Sequence, residues 1–252
     1  MRIIKWEKLP PRMQTEEVKR YYDVLKKRKI SLFFKRVFDV FASLIMLVVF
    51  SPIFLILAIA IKLDSPGPVF YRQERITQYG KTFRIHKFRT MVQNADKGSQ
   101  VTVNNDSRIT RVGRFIRNCR LDEIAQLIDV LQGNVTLVGV RPESPKYVAE
   151  YTNAMMATLL LPAGVTSLAS IYYKDEARLL DGVDDPDRVY VEKILPGKMY
   201  YNLRGIEKFS FFGDIKIMFM TVFAVLGKKY KGDYEEIAES GSEEKIREES
   251  RV

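Results

Sequence analysis

The sequence is poor in the residues that build many catalytic centres. Its 252 residues include one cysteine, Cys119, and one histidine, His86. A single cysteine excludes an internal disulfide and a cysteine metal cluster, and a single histidine excludes His-rich metal sites. The presence of only one histidine also argues against a Ser-His-Asp triad. We expect Cys119 to be a small buried filler, and His86 to be a hairpin residue and not a base.

Several catalytic motifs are absent as well. The sequence has no H-E-x-x-H, no G-x-S-x-G and no Cys-x-x-Cys, which argues against zinc proteolysis and α/β-hydrolase chemistry. Gly80-Lys81-Thr82 resembles the end of a P-loop, but Arg75 stands where the partner glycine belongs. Residues 1–36 contain no apolar core followed by a cleavage site, so we expect no signal peptide.

The net charge of +10 is unevenly distributed. Residues 1–36 contain twelve Lys/Arg against four acids, a net +8, and residues 233–252 contain three against eight, a net −5. Basic proteins often bind nucleic acid, but no nucleic-acid-binding motif accompanies this charge. Because the basic segment adjoins a long apolar run, the pattern favours an anionic lipid bilayer as the partner and no nucleic acid.

The apolar run covers residues 37–61 and is interrupted by one aspartate and two serines. As one helix it would be about 37 Å long, enough to cross a bilayer. Pro52, near its middle, removes a backbone donor and leaves the carbonyl of Val48 in need of another partner, such as a serine side chain. Basic residues flank both ends, so a straight span would place one basic flank outside. These residues are compatible both with a kinked span and with a re-entrant helix, with Ser51 and Pro52 at the kink in either case.

The rest of the chain predicts an α+β fold that is mainly helical. Residues 69–74 and 82–88 are rich in strand-forming residues on either side of Tyr79-Gly80, and they predict a small β-hairpin. Elsewhere we expect a charged helix over 16–29, a loop over 93–106, a helix over 150–161, interfacial amphipathic helices, chiefly over 209–226, and a disordered acidic tail over 233–252.

The most informative segment sets two adjacent carboxylates, Asp122 and Glu123, among arginines. Arginines recur every third residue upstream, at positions 108, 111, 114, 117 and 120, and Arg141 follows downstream. Guanidinium groups bind phosphate oxygens bidentately, whereas carboxylates in such a field neutralise it, bind a divalent cation or attack phosphorus. The apolar spacing predicts a helix over 122–132 that ends at Gly133. Asp122 then lies at its first turn, as an ordinary N-cap or as part of a phosphate site.

Several motifs occur in an order that resembles one protein family. They are Ser51-Pro52, Ser65-Pro66-Gly67-Pro68-Val69-Phe70-Tyr71-Arg72-Gln73, Lys87-Phe88-Arg89-Thr90-Met91, Arg108-Ile109-Thr110-Arg111-Val112-Gly113-Arg114-Phe115, Leu121-Asp122-Glu123 and Leu137-Val138-Gly139-Val140-Arg141-Pro142. The set resembles the bacterial sugar transferases, in particular their small monotopic polyprenyl-phosphate phosphoglycosyl transferases. The match is close over residues 33–170 and looser beyond.

The resemblance implies a reaction at the cytoplasmic face of the bacterial inner membrane. A UDP-sugar donates its sugar 1-phosphate to polyprenyl (undecaprenyl) phosphate and UMP is released, as the first membrane step in assembling an exopolysaccharide, O-antigen or glycoprotein glycan. It also implies the re-entrant form of the membrane helix and Mg²⁺ as the cofactor. We therefore divide the chain into a basic membrane-proximal lead-in (1–36), a re-entrant membrane helix (37–62), a catalytic domain (63–232) and the tail (233–252). A homodimer is left open.

Matching motifs assign the site residues. Asp122 takes the place of the nucleophile that holds a covalent phosphosugar, and Glu123 takes the place of a residue that helps to bind Mg²⁺. The candidate substrate-binding residues are Lys87, Arg89, Arg114, Arg117 and Arg141, of which Lys87, Arg117 and Arg141 match family positions near the donor phosphates.

The chain departs from the family pattern at three places. Ala125 and Val140 replace prolines, and residues 162–170 differ from the usual Pro-Gly-Ile-Thr-Gly run. Because that last region bears on donor recognition, the sequence does not identify the sugar. The alternative to an enzyme is a non-catalytic basic membrane-surface scaffold whose acids and arginines form only structural ion pairs.

Overall fold

The computed structural model describes residues 1, 3–93, 95, 107–180 and 182–234, without the side chains of residues 177 and 178. The predicted tail therefore lies outside the described residues from position 235 onward. Of the loop predicted over residues 93–106, the structure describes only Gln93 and Ala95.

The fold is α+β and mainly helical, as predicted. Its helices and strands run in the order α1 (Glu16–Lys27), α2 (Lys29–Asp64), β1 (Phe70–Ile76), β2 (Thr82–Phe88), α3 (Arg111–Asn118), α4 (Gln126–Gln132), β3 (Val135–Val138), α5 (Pro145–Ala149), β4 (Ala163–Thr166), α6 (Leu168–Tyr172), α7 (Glu176–Leu179), α8 (Pro186–Val189), α9 (Leu195–Glu207) and α10 (Phe211–Val225). Short 3₁₀ turns include Leu121–Ala125 and Ala154–Leu160, and a π-helical turn, Tyr190–Ile194, precedes α9.

The strands form two small sheets. β1 and β2 pair antiparallel from Phe70 opposite Phe88 to Ile76 opposite Thr82, which confirms the predicted hairpin. β3 and β4 pair in parallel, which the sequence reasoning did not anticipate. The chain after β3 passes so close to β4 that a Cβ on Gly164 would lie 2.2 Å from the nitrogen of Gly139, so this approach requires glycine.

Helix α2 contains the whole predicted apolar run and extends beyond it at both ends. By length and composition it could cross a membrane, and its most apolar 18-residue window has a mean hydropathy of 3.0 and is only 11% buried. The hydroxyl of Ser51 donates to the Val48 carbonyl at 2.8 Å. That carbonyl is the one left without its usual donor by Pro52, so the serine satisfies the backbone at the proline, as the sequence suggested.

Both ends of α2 are bound by the same folded unit. Near its start, Arg36 donates to the Val130 carbonyl at the end of α4 at 2.7 Å. At its end, the Asp64 carboxylate accepts a hydrogen bond from the Val112 amide of α3 at 2.9 Å. The middle of α2 has an exposed apolar face that includes Val48. The opposite face of the same stretch packs on the folded unit, because Met46, Leu47 and Phe50 contact the apolar cluster that includes Leu127 and Val130.

The basic lead-in is not a separate piece. Tyr21, Tyr22 and Leu25 of α1 are buried in the largest apolar cluster, together with Leu160 and Met199. Residues 1–36 thus contribute core side chains to the unit that carries the rest of the chain, and the division predicted at residue 36 does not follow the packing.

Two local predictions were wrong. The expected α-helix over 150–161 is a shorter 3₁₀ helix, Ala154–Leu160, in which Thr158 donates its hydroxyl to the Met155 carbonyl at 2.7 Å. Cys119 is exposed just after α3, not buried. The apolar stretch 209–226 does form a helix, α10, with Ser210 as its N-cap and Phe212 and Phe219 exposed on its surface.

Candidate active site

The acidic pair lies on a tight turn between two helices. Arg120 adopts a left-handed conformation with φ of 53°, which reverses the chain after α3. Asp122 and Glu123 follow on the 3₁₀ turn Leu121–Ala125, and α4 begins only at Gln126. The helix predicted over 122–132 is therefore two elements, although its end at Gly133 is confirmed. Because a 3₁₀ turn has three residues per turn, the two carboxylates point about 120° apart.

Glu123 is held by two cations from distant parts of the chain. Arg141 donates through Nη1 to Oε2 at 3.1 Å and through Nη2 to Oε1, so the guanidinium and carboxylate form a bidentate pair. The Lys87 ammonium of β2 lies 3.7 Å from Oε1. Arg141 reaches this position because the chain after β3 is fixed beside β4, where the Gly164 amide donates to the Val140 carbonyl at 2.7 Å.

The two adjacent carboxylates have opposite shifts in pKa. Burial opposes ionisation of Glu123, but the charges of Arg141 and Lys87 outweigh it and lower the Glu123 pKa to about 2. Burial, together with the neighbouring Glu123 charge, raises the pKa of Asp122 above its usual value despite the cations nearby. Among the residues that the structure describes, Asp122 has no ion-pair partner within 4.0 Å. Asp122 is thus the more basic carboxylate, whereas Glu123 is held in an ion pair with Arg141.

The predicted arginines fall into different environments. Arg117 donates from Nε to the Thr90 hydroxyl at 3.0 Å, and its charge acts on Asp122. Arg114 is exposed on α3. Arg89 is 6% exposed and donates to the carbonyls of Pro66 and Ser65 at 2.7 Å each, just after α2 ends. The structure thus brings Lys87, Arg117 and Arg141 to the acidic pair, whereas Arg89 binds the carbonyls at the end of α2.

Histidine and aspartate fix the strand that carries Lys87. The Asp129 carboxylate of α4 accepts from the His86 backbone amide and faces its Nδ1, both at 2.8 Å. Arg72 can only donate, so His86 Nε2 is the acceptor at 2.6 Å and Nδ1 carries the proton towards Asp129. His86 is therefore a hairpin residue, as predicted, and its bonds dock β2 on α4.

A buried charge network supports the segment that follows Arg141. Lys198 of α9 donates to Glu143 Oε1 at 3.0 Å and to the Tyr190 hydroxyl at 2.7 Å, and it lies 3.2 Å from Glu176. Tyr190 also donates to Glu143 at 2.6 Å. The backbone of Glu143 accepts from Ile76, which ties the same segment to the hairpin. This network fixes the backbone two residues from Arg141.

Sequence reasoning missed Glu143, Glu176 and Lys198. Only Glu143 offered a local signal, because it directly follows the Arg141-Pro142 motif. Lys198 lies 55 residues from Glu143 in a segment without a recognisable motif. It binds Glu143 because the fold buries it on α9.

The residues present fit a divalent cation only if substrate supplies further ligands. No group of three His, Cys, Asp or Glu side chains suited to a metal occurs within the part of the chain that the structure describes. Glu123 is ionised, and a carboxylate that binds arginine bidentately keeps lone pairs for a cation. Magnesium commonly binds one or two carboxylates together with substrate phosphates, so the acidic pair suits that arrangement.

Comparison with known proteins identifies the family of the chain. The family model described as bacterial sugar transferase matches residues 30–228. The UDP-N-acetylgalactosamine-undecaprenyl-phosphate N-acetylgalactosaminephosphotransferase of Aeromonas hydrophila is 35% identical over 78% of this chain and 44% of its own length. The UDP-glucose:undecaprenyl-phosphate glucose-1-phosphate transferase of Klebsiella pneumoniae is 36% identical over 77% and 40%, respectively.

The chain thus spans less than half of the length of these two relatives. The exopolysaccharide production protein PSS of Rhizobium leguminosarum bv. phaseoli is 35% identical over 78% of this chain and 97% of its own length. The matched region contains α2, the hairpin, the acidic pair and Arg141. On the extent of the family match, the chain belongs to the bacterial sugar transferase family.

Proposed function

We infer that this protein is a phosphoglycosyl transferase that moves a sugar 1-phosphate from a UDP-sugar to undecaprenyl phosphate. The observation that carries the proposal is the difference between the two adjacent carboxylates. Glu123 is bound by Arg141, whereas Asp122 has a raised pKa and cations around it. A carboxylate that is not bound in an ion pair keeps its nucleophilicity. The names of the relatives supply the donor and acceptor classes.

In the first step, an oxygen of Asp122 attacks the sugar-bearing phosphorus of the donor. The bond from that phosphorus to the bridging oxygen breaks, UMP leaves, and an aspartyl phosphosugar remains. In the second step, a phosphate oxygen of the acceptor attacks the same phosphorus, which releases the Asp122 carboxylate and yields a polyprenyl diphosphate sugar. Attack of one anion on another requires neutralisation, which Lys87, Arg117 and Arg141 provide at this site.

Magnesium is the proposed cofactor. Glu123 would help to hold it, and the ion would neutralise negative charge on the donor phosphates. The protein's own part is to keep Glu123 ionised through Arg141 and to leave Asp122 available.

The proposed location is the cytoplasmic face of the bacterial inner membrane, with α2 entering the bilayer and returning. The contacts of Arg36 with α4 and of Asp64 with α3 support this topology, since one folded unit cannot bind both ends of a helix that crosses the membrane. The basic residues on both flanks favour the cytoplasmic side. The exposed apolar surfaces of α2 and α10 would contact lipid.

The test of this function is the covalent adduct. Protein given a UDP-sugar and Mg²⁺ without acceptor should gain the mass of one sugar phosphate, located on Asp122, and release one equivalent of UMP. Asp122→Asn should form no adduct and show no turnover while it folds normally, because the amide is nearly isosteric but a poor nucleophile. Asp23→Asn, on the solvent side of α1, is the matched control and should behave as wild type. An active Asp122→Asn variant would overturn the assignment, and absence of any UMP release would favour the scaffold alternative.

A further inference from the structure

A groove of about 690 Å³ lies between the membrane helix and α10. One wall is formed by Phe38, Met46 and Phe50 of α2, and the other by α10 side chains that include Met218 and Ala224. Most of its surface is therefore apolar. The outer faces of both helices are also apolar and exposed, so the groove opens where the protein would meet lipid.

The other end of the groove is charged and includes two residues of the candidate active site. Glu123 and Arg141 line it together with Arg120 and Lys174. Arg120 donates to the Lys174 carbonyl at 3.0 Å, and Lys174 donates to the Lys228 carbonyl at 3.2 Å. Carbonyl oxygens orient these two cations but do not cancel their charge, so this end attracts an anion beside the acidic pair.

The geometry points to this groove as the seat of the lipid acceptor. The first isoprene units of the polyprenyl chain lie between α2 and α10, and the phosphate lies against Arg120 and Lys174, beside Glu123. This inference rests on the proposed function and adds the residues that bind the acceptor. The volume suits a drug-sized ligand, so the groove holds only the part of the chain next to the phosphate and the remainder stays in the bilayer.

The lining favours a prenyl chain over the donor. A sugar and a uridine need many hydrogen-bond partners, whereas the polar groups in the middle of the groove already bond to each other. Thr166 and Thr221 share a hydrogen bond of 2.7 Å, and Thr221 also donates to the Ile217 carbonyl at 2.8 Å. Satisfied hydroxyls among apolar walls leave little for a sugar to bind and suit a hydrocarbon.

The experiment separates the two half-reactions. Ala224→Trp fills the groove, and its matched control is Phe223→Trp, the next residue on α10, which is exposed and lies outside the groove lining. With the full-length protein in phospholipid nanodiscs, Ala224→Trp should raise the KM for undecaprenyl phosphate about tenfold or more while sugar-phosphate adduct formation without acceptor is retained. Phe223→Trp should change neither quantity. Lys174→Gln should also raise the acceptor KM and spare adduct formation.

Each outcome decides the inference. A wild-type acceptor KM in Ala224→Trp, or equal effects of the two tryptophans, would overturn it. Loss of adduct formation in a folded Ala224→Trp variant would place the donor in the groove and also overturn it. If Ala224→Trp does not fold, Val225→Trp, at an exposed position of the same lining, takes its place with the same expectation. Failure of the wild type to form an adduct would count against the proposed function itself and is distinguishable from these results.

Discussion

Lys198→Met should destabilise the protein far more than removal of a shorter salt bridge at the surface. Lys198 is 3% exposed and is bonded to Glu143, which is itself buried. Methionine has a similar length and no charge, so the variant leaves the Glu143 carboxylate buried, with the Tyr190 hydroxyl as its remaining hydrogen-bond donor among the described side chains and with Arg75 nearby. Truncating one partner of a buried ion pair costs about 3–5 kcal/mol, because the remaining charge is uncompensated.

The matched control is Lys146→Met. The Lys146–Asp187 contact is shorter, at 2.6 Å against 3.0 Å, but the Lys146 side chain is 57% exposed. An exposed pair is worth about 0–1 kcal/mol. Since 1 kcal/mol shifts Tm by about 2–4 °C in a domain of this size, Lys198→Met should lower Tm by about 6–20 °C and Lys146→Met by at most about 4 °C.

The measurement is thermal unfolding in one detergent at neutral pH, followed by circular dichroism. The double variant Lys198→Met/Glu143→Gln should recover roughly half of the loss or more, because the stranded charge is gone. Equal losses in Lys198→Met and Lys146→Met, or no recovery in the double variant, would refute the reasoning.

The pH dependence gives a second test of the same pair. Burial opposes ionisation of Glu143, but Lys198 and Tyr190 outweigh it and lower the Glu143 pKa below the unfolded value of 4.5. The pair's contribution to wild-type stability is therefore complete above about pH 4.5 and is lost as pH falls through the lower folded pKa. In Lys198→Met the unpaired Glu143 takes up a proton more readily, so the gap from wild type should narrow on acidification.

Three further predictions concern the acidic pair, Arg89 and the membrane topology of α2. Glu123→Gln should lose activity mainly through weaker binding of Mg²⁺, because an amide is a poorer ligand than a carboxylate; chelator-insensitive turnover of the wild type would contradict a metal role. Arg89→Gln should lower stability by about 1.5–3 kcal/mol for each of its 2.7 Å bonds to the Pro66 and Ser65 carbonyls, and it should leave the donor KM unchanged; a selective rise in donor KM would restore the substrate-binding role. With Cys119 replaced, cysteines at the exposed positions Lys8 and Lys81 should both resist a membrane-impermeant thiol reagent in intact cells, and labelling at Lys8 alone would indicate a straight span.

Local patterns in the sequence were sufficient to predict the first hairpin and the long apolar helix. Strand-forming residues on both sides of a turn predicted the β1–β2 hairpin, and the apolar run predicted α2, including the serine that bonds the Val48 carbonyl. These features depend on neighbours in sequence, where periodicity and turn chemistry are visible. The predicted helix over 122–132 is two elements, because residues 121–125 form a 3₁₀ turn after the left-handed Arg120 and α4 begins only at Gln126. Nothing local required a non-glycine residue at position 120 to adopt positive φ.

The sequence also limited the chemistry to carboxylates and cations, because cysteine and histidine were nearly absent and two acids lay among arginines. It did not decide which cations serve the acids. Arg141 reaches Glu123 only because β3 pairs with β4, Lys87 because Asp129 docks the hairpin, and Arg89 turns away to the end of α2. Spacing of three along the chain could not separate these cases, since side-chain partners depend on packing between distant segments. The opposite pKa shifts of Asp122 and Glu123 arise the same way, because burial and the charges of distant residues exist only once the chain has folded.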